Sequence, residues 1–355
     1  MENYIVLNSL ATGASHISTK KPCQDYSLSF KDDKNTLAII SDGHGDPNCF
    51  RSDRGAEFAC EAAKKSVLLL LSHEDEIQKN TEMRLRELEE AIIFNWYERV
   101  KSDYLNNPFT EDEIEKLTPD VKNMYKSGTR LEKAYGCTLI AVALTEKYCF
   151  GIQIGDGKCV AIYENARYEQ PIPWDENCTF QYSTSLCGTN AKNEFRHFYT
   201  EDLPIAIFAA SDGVDESFGG DENLNKFYYT LSLIFQNKEF DTAKNELTDY
   251  LKKLTAKGSL DDVSVAGIIN KEAKFLFDAP TPPPETSEDE KVKERLEKMI
   301  KEINSEKEEL KLEITALNQR ISELMHKIDS YEIKTQEYEK KKTSLTKKYI
   351  VSVSL

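Results

Sequence analysis

Apolar residues in the first 270 positions fall mainly into short runs, separated by longer stretches with helical spacing. Eight short runs predict strands, namely residues 4–8, 26–30, 37–40, 137–144, 148–154, 158–163, 205–210 and 263–269. The three consecutive runs between 137 and 163 are joined by connections of three residues each. Connections this short between strands are typical of an antiparallel meander.

Longer segments place apolar residues three or four positions apart, as one face of a helix requires. Four such segments predict helices, at residues 55–71, 82–104, 224–236 and 242–254. Residues 105–133 are polar and contain two prolines, and they predict a loop with a short helix at 111–117. Because strands and helices are segregated and do not alternate, the pattern predicts an α+β fold.

Short acidic motifs stand where several of these apolar runs begin or end. Asp42 follows the run at 37–40, Asp212 follows the run at 205–210, and Asp261 precedes the run at 263–269. Gln24-Asp25 likewise precedes the run at 26–30. A single Asp-Gly pair at a strand end predicts only a turn. The repetition predicts that several carboxylates converge on a hard cation, since Mg²⁺ and Mn²⁺ prefer oxygen ligands.

Charge and composition exclude several functions. The net charge is −16, and almost all of the acidic excess lies before residue 285, which argues against a nucleic-acid partner. No apolar run of eighteen residues exists, and no signal-peptide pattern opens the chain, so we expect a cytoplasmic protein without a membrane partner. The eight cysteines include no Cys-x-x-Cys pair, and buried reduced thiols are the expected state.

The sequence changes character after residue 278. Residues 279–290 form a proline-rich linker, and residues 291–348 carry a heptad pattern with one stutter. Its apolar positions are Val292, Leu296, Met299, Ile303, Leu310, Ile314, Leu317, Ile321, Leu324, Ile328 and Tyr331. This pattern predicts a coiled coil that forms a homodimer or binds another protein, and a lone solvated helix is the alternative. Residues 349–355 alternate like a short strand and form a separate tail.

At this point the motifs, taken in order, resemble a known family. They are Ser15-His16, Pro22-Cys23-Gln24-Asp25, Asp42-Gly43-His44-Gly45, Gly136-Cys137-Thr138-Leu139, Gly155-Asp156-Gly157, Ser211-Asp212-Gly213 and Asp261-Asp262-Val263-Ser264. This order resembles the metal-dependent protein phosphatases of the protein phosphatase 2C type, most closely the bacterial branch, over about residues 1–270. The resemblance implies a catalytic domain at residues 1–278, with a central antiparallel β-sandwich flanked by helices. It also implies hydrolysis of phosphoserine and phosphothreonine in proteins by a water activated at a binuclear Mg²⁺ or Mn²⁺ site.

The resemblance assigns metal ligation to six residues, Asp42, Gly43, Asp212, Asp261, Asp25 and Asp156. Asp42 has the position of a carboxylate that bridges two ions, and Gly43 that of a backbone carbonyl ligand. Asp156 matches a residue linked to a third, weaker ion in bacterial relatives. Its Gly-Asp-Gly context also fits a hairpin turn, and the two interpretations are compatible.

The resemblance also assigns catalytic roles. His44 matches a histidine that protonates the leaving oxygen of serine or threonine. Two residues depart from the family pattern. Gln24 stands where many members have Glu, and Lys20 stands where many have a phosphate-binding Arg, with Lys21 as a second candidate. Lysine holds phosphate as a point charge, without the bidentate geometry of arginine.

Three functions follow from these observations. The first is an active serine/threonine phosphatase that acts in signalling by reversing a kinase, with the coil mediating oligomerisation or recruitment. The second is a catalytically weak or inactive phosphatase-like scaffold that binds phosphoproteins and acts through its coil. The third makes the coil the working part and the body a passive cap. Retention of Asp42, Asp212 and Asp261 favours the first.

Overall fold

Two antiparallel sheets, each with five strands, form the centre of the protein in a computed structural model that describes residues 1–178 and 182–276. The strands are β1 (Tyr4–Ala11), β2 (Tyr26–Lys31), β3 (Thr36–Ser41), β4 (Leu139–Leu144), β5 (Cys149–Ile154), β6 (Lys158–Ile162), β7 (Tyr168–Glu169), β8 (Arg196–Thr200), β9 (Ala206–Ala210) and β10 (Val263–Asn270). Sheet A has the order β1-β10-β9-β6-β7, and sheet B has the order β2-β3-β4-β5-β8.

Helices cover the outer faces of both sheets. They are α1 (Ala14–Thr19), α2 (Ser52–Leu71), α3 (Glu74–Lys79), α4 (Thr81–Asn106), α5 (Glu111–Ile114), α6 (Pro119–Lys126), α7 (Ala191–Glu194), α8 (Asp212–Phe218), α9 (Asp221–Asn237) and α10 (Phe240–Lys257). Short 3-10 turns occur at Pro47–Cys49, Leu131–Tyr135 and Glu164–Ala166. The layers therefore follow the order helix, sheet, sheet, helix, and the predicted fold class is confirmed.

The central strands read as unbroken apolar runs because both of their faces are buried. In β4, Ile140, Val142 and Leu144 point into the cluster between the two sheets. The alternate residues Leu139, Ala141 and Ala143 point into the cluster that α2 and α4 cover. On sheet A, α9 and α10 cover the outer face in the same way, and the Phe208 ring stacks on Tyr228 at 4.6 Å.

The predicted meander is wrong at its third strand. β4 pairs with β5, but β6 leaves sheet B and pairs with β9 and β7 in sheet A. The edge of β5 is taken by β8, whose half-buried polar residues gave no apolar run in the sequence. The Gly155-Asp156-Gly157 connection is therefore a crossing between sheets, not a hairpin turn. Gly155 has a φ of +104°, and a Cβ there would lie 2.5 Å from the Thr138 side chain.

Other differences follow from local chemistry. Residues 119–126, predicted as loop, form α6, because Pro119 occupies the first helical turn, where its missing N–H costs nothing. Among the described residues, none of the helices combines the length and apolarity that crossing a bilayer requires. All eight cysteines are unpaired and six are buried. The predicted linker, coiled coil and tail lie outside the described residues.

Candidate metal centre and active site

The acidic motifs meet at one end of the two sheets because of the strand register. In sheet B, Ser41 at the end of β3 pairs with Tyr26 at the start of β2, which places Asp42 and Asp25 side by side. In sheet A, Ala210 pairs with both Val265 and Lys158. The residues after β9, before β10 and before β6 therefore lie at the same end of sheet A. These are the positions of the remaining aspartates.

A cavity of about 520 Å³ opens at this end of the sheets. The residues that line it are Ser15, His16, Lys21, Gln24, Asp42, Gly43, His44, Gly45, Thr138, Asp156, Ser183, Asp212, Ser259, Leu260, Asp261 and Asp262. Of the residues predicted for the site, this set includes Asp42, Gly43, His44, Asp156, Asp212 and Asp261. Asp25 lies behind the wall and is only 4% exposed.

Backbone hydrogen bonds hold the Asp42-Gly43-His44 loop. The Asp42 carbonyl accepts from the Thr138 N–H at 2.8 Å, and the Asp42 N–H donates to the Thr138 hydroxyl at 3.1 Å. The N–H of Gly43 donates to the Gln24 carbonyl at 3.0 Å. Only glycine fits at position 43, because a Cβ would lie 2.6 Å from the backbone carbonyl oxygen of Ser52. The loop is therefore fixed before any ligand binds.

The carboxyl groups of Asp42 and Asp212 lie beside each other. Burial raises the pKa of Asp42 well above its ordinary value, and the charges of Asp25 and Asp212 raise it further. Burial also raises the pKa of Asp212 to about 6, with Asp156 and Asp261 adding to the effect. Carboxylates forced this close need a shared proton or a cation between them.

Asp25 is the most constrained of these groups. Burial raises its pKa to about 8, and the hydroxyls of Ser211 and Ser264 lie near enough to lower it through hydrogen bonding, while the charges of Asp262 and Asp212 raise it. Neither hydroxyl has good hydrogen-bond geometry to the carboxylate oxygens, which have no other partner among the described residues. A buried carboxylate with so few well-placed donors suits an oxygen ligand, and the set of carboxylates around it suits a hard divalent cation. The residues present therefore fit Mg²⁺ or Mn²⁺.

Asp262 organises the N-terminal side of the cavity. Its two oxygens accept from the backbone N–H groups of Gly13 and Gln24, each at 2.6 Å, and Oδ2 lies 2.9 Å from Nδ1 of His16. A carboxylate can accept all of these bonds, whereas the amide of an asparagine offers only one acceptor oxygen. Both residues belong to the motifs quoted above, but no local pattern in the sequence predicts that His16 and Asp262 contact each other.

His44 and Gln24 are tied to the same loop. Burial lowers the pKa of His44, against the raising effect of Asp156 and Asp46, and this favours the neutral ring. The side-chain amide of Gln24 donates to the His44 carbonyl at 3.2 Å and to the Ser52 hydroxyl, while its Oε1 is buried without a partner in the described part of the chain. The nitrogen of Gln24 therefore supports the loop, and its oxygen remains available to a ligand.

The positive charge in the wall comes from Lys21. Lys20 ends α1 in a left-handed conformation with φ of 59° and is exposed, and it is not among the lining residues. Arg51 lies outside the cavity wall as well. It is 4% exposed, binds Glu113 through Nε at 2.7 Å and Nη2 at 2.9 Å, and stacks on the Phe109 ring. Arg51 is thus a structural residue.

Comparison with known proteins gives one extensive match. The family model described as protein phosphatase 2C matches residues 12–252. No curated protein sequence shows significant similarity to the chain.

Solved structures with a similar arrangement include a bacterial serine phosphatase, at 15% identity and a TM-score of 0.47, covering 76% of this chain and 99% of that chain. They also include the serine/threonine phosphatase Stp1 from Staphylococcus aureus, at 15% identity and a TM-score of 0.47, covering 74% of this chain and 94% of that chain. PppA of Pseudomonas aeruginosa matches at 14% identity and a TM-score of 0.45, covering 75% of this chain and 97% of that chain. Likenesses of this degree carry no conclusion about function.

Proposed function

The chain belongs to the protein phosphatase 2C family and is a protein serine/threonine phosphatase, and we propose that it works through a pair of divalent cations, Mg²⁺ or Mn²⁺, at the sheet edge. The observation that carries this proposal is the meeting of three carboxylates in one cluster, with Asp25 buried and Asp42 and Asp212 partly exposed at the cavity wall. None of the three forms an ion pair with a cationic side chain among the described residues. Folding brings these like charges together at a cost in stability, and a bound cation offsets that cost.

The proposed ligands are Asp42, Gly43 through its carbonyl, Asp212, Asp261 and Asp25, with Asp156 as a ligand of a weaker third ion. When bound, two cations supply a water of lowered pKa and neutralise the charge of the phosphate ester. The protein's own contribution is to fix the carboxylates on strand ends and on the Asp42 loop. A site on such rigid elements requires little reorganisation when the substrate arrives.

His44 is proposed to protonate the leaving oxygen of the substrate serine or threonine. Its backbone N–H donates to the Gly136 carbonyl at 3.0 Å, which fixes the residue at the cavity wall. A neutral ring at rest takes a proton from solvent or substrate and passes it to the alkoxide, which is a far stronger base. Lys21 is proposed to attract the phosphate, and the support is that it lines the cavity, whereas Lys20, the first candidate from the sequence, is not among the lining residues.

Hydrolysis of a phosphothreonine peptide and of a chromogenic phosphate ester, measured with and without Mn²⁺, tests the proposal. We expect metal-dependent turnover in the wild type and a loss of at least about 100-fold in Asp42→Asn, since one removed charge-stabilising group commonly costs 10²–10³ in rate. Asp33→Asn, an exposed aspartate away from the cavity, serves as the matched control. Tight metal binding without any turnover would instead favour the scaffold function.

Residues 291–348 are proposed to mediate oligomerisation or partner recruitment, and the support is the heptad pattern of the sequence alone. Light scattering of the full chain beside residues 1–278 tests this. We expect a larger oligomer for the full chain only. Equal molar masses per chain, together with unchanged partner capture, contradict the proposal.

A further inference from the structure

His16 is a buried histidine whose two ring nitrogens have different surroundings. The residue is 8% exposed, and its ring lines the cavity. Nδ1 lies 2.9 Å from Oδ2 of Asp262, whereas Nε2 lies 4.0 Å from Oδ1 of Asp261. Among residues 1–178 and 182–276, Nε2 has no hydrogen-bond partner. One nitrogen is therefore anchored in the protein, and the other faces the cavity beside a carboxylate.

The surroundings of Asp262 determine which nitrogen carries the proton. Its oxygens already accept from the backbone N–H groups of Gly13 and Gln24, which can only donate. Both oxygens of Asp262 are thus occupied as acceptors, and His16 Nδ1 is the donor in its contact with Oδ2. In the neutral ring the lone pair then lies on Nε2. A carboxylate behind one nitrogen and a free lone pair on the other is the arrangement found in metal-ligating histidines.

The distance between Nε2 and Asp261 is compatible with one cation between them. Metal–nitrogen and metal–oxygen bonds are about 2.0–2.2 Å long, so two ligands of one ion lie at most about 4.4 Å apart. The observed 4.0 Å is within that limit. The Asp261 side chain is 57% exposed, so it has room to rotate and to close the angle at the ion. His16, Asp261 and Asp262 present their donor atoms within 4.8 Å of one another.

We propose that His16 Nε2 is a nitrogen ligand of the cation held by Asp261, and that Asp262 is the positioning residue for this ligand. The inference rests on the proposed metal site and specifies its chemistry. Mg²⁺ prefers a shell of oxygen atoms, whereas Mn²⁺ and later divalent metals accept imidazole more readily. A nitrogen ligand therefore makes this centre select Mn²⁺ over Mg²⁺.

Electron spin-echo envelope modulation of the full chain loaded with Mn²⁺ reads out this ligand without any activity measurement. We expect modulation from a directly bound ¹⁴N in the wild type, and its replacement by the ¹⁵N pattern when the protein carries ¹⁵N-labelled histidine. This isotope experiment needs no variant, so a folding defect cannot obscure it. Absence of bound nitrogen in Mn²⁺-loaded wild type overturns the proposal.

Two variants assign the nitrogen to a residue. His16→Asn retains an amide near the position of Nδ1, which can still donate to Asp262, and removes the atom at Nε2. His197→Asn is the matched control, since His197 lies outside the cavity and binds Glu89 and Glu82. We expect the ¹⁴N signal to disappear in the first variant and to persist in the second. Loss of the signal in His44→Asn, with retention in His16→Asn, overturns the assignment.

Calorimetric titration with Mn²⁺ alone and with Mg²⁺ alone measures the selectivity between the two metals. We expect His16→Asn to weaken Mn²⁺ binding by about 10–100-fold, and to change Mg²⁺ binding several-fold less. Equal losses for both metals overturn the claimed selectivity. A wild type that binds Mn²⁺ and hydrolyses phosphate esters without a nitrogen signal refutes only the role of His16. A wild type that binds neither metal refutes the proposed function itself.

Discussion

Replacing Asp25 by asparagine should change stability in opposite directions with and without metal. Asp25 is 4% exposed, and its two oxygens have no hydrogen-bond partner among the described residues. In the metal-free protein this carboxyl group is a buried polar group beside the like charges of Asp42 and Asp212. Asparagine removes the charge and adds two donors that can face the neighbouring carboxylates. The metal-free variant should therefore be more stable than the wild type.

The size of the effect follows from the burial. A buried polar group without a partner costs about 1–3 kcal/mol, and a charged one costs more. We expect metal-free Asp25→Asn to gain about 1–3 kcal/mol, which raises Tm by roughly 2–10 °C for a domain of this size. With metal at about 100 times Kd, one site adds about 2.7 kcal/mol to the wild type. A 100-fold loss of affinity leaves only about 0.4 kcal/mol of this in the variant.

Thermal unfolding of the full chain in EDTA and in excess Mn²⁺ measures both effects. Asp33→Asn, an exposed replacement of the same kind, should leave both Tm values unchanged. The reasoning is refuted if Asp25→Asn lowers Tm in EDTA while the rise in Tm on adding Mn²⁺ stays as large as in the wild type. That result would mean that Asp25 is a structural carboxylate and not part of a cation site.

Three further outcomes can be measured by urea denaturation in EDTA. Arg51→Met should cost about 3 kcal/mol, the low end for a buried ion pair, because Arg51 is buried but its partner Glu113 is partly exposed. The exposed Arg54→Met should cost at most about 1 kcal/mol. The hydrogen bond to Glu89 raises the pKa of His197, so the charged ring stabilises the folded protein. The stability lost in His197→Gln should therefore be largest below about pH 6 and should vanish as the pH rises through the folded-state pKa. A loss that does not depend on pH contradicts this. Gly55→Ala should destabilise the protein, because the new Cβ would lie 2.0 Å from a backbone oxygen and overpacking costs about 1–3 kcal/mol or more. This cost exceeds the gain of about 1 kcal/mol in helix propensity. A stabilised variant refutes the clash.

The layered fold was predictable because its core strands carry their own signal. Strands buried on both faces, such as β3, β4 and β9, appear as unbroken apolar runs, and their limits in the structure lie within about two residues of the prediction. β8 gave no such signal, because only Phe198 of its five residues is buried. Without β8, the edge of β5 seemed free for β6, and the topology of the third meander strand was predicted wrongly. Pairing depends on which strands compete for an edge, and a single apolar pattern does not contain that information.

The meeting of the aspartates was predictable from the sequence, whereas the contacts that hold the surrounding residues in place were not. The aspartates at strand ends stand out in the sequence, since they interrupt apolar runs at regular places. The partners of Asp262 are 238 to 249 positions away along the chain, so no local pattern predicts them. The choice between Lys20 and Lys21 likewise depends on how α1 ends. A left-handed residue at position 20 places the exposed Lys20 off the cavity wall and its neighbour Lys21 on it.

The origin of the proposed ligands gives a physical reason why the proposed cation binding would be linked to folding. Asp25 and Asp42 flank strands of sheet B, whereas Asp212 and Asp261 lie just beyond strand ends of sheet A. The two sheets pack through an apolar cluster, and this packing brings both pairs of carboxylates to one edge. The attraction between the sheets is therefore opposed by repulsion at that edge. A divalent cation bound there would offset this repulsion, because the proposed ligands come from both sheets. The same arrangement that opposes sheet packing in the metal-free protein would thus favour the proposed cation binding.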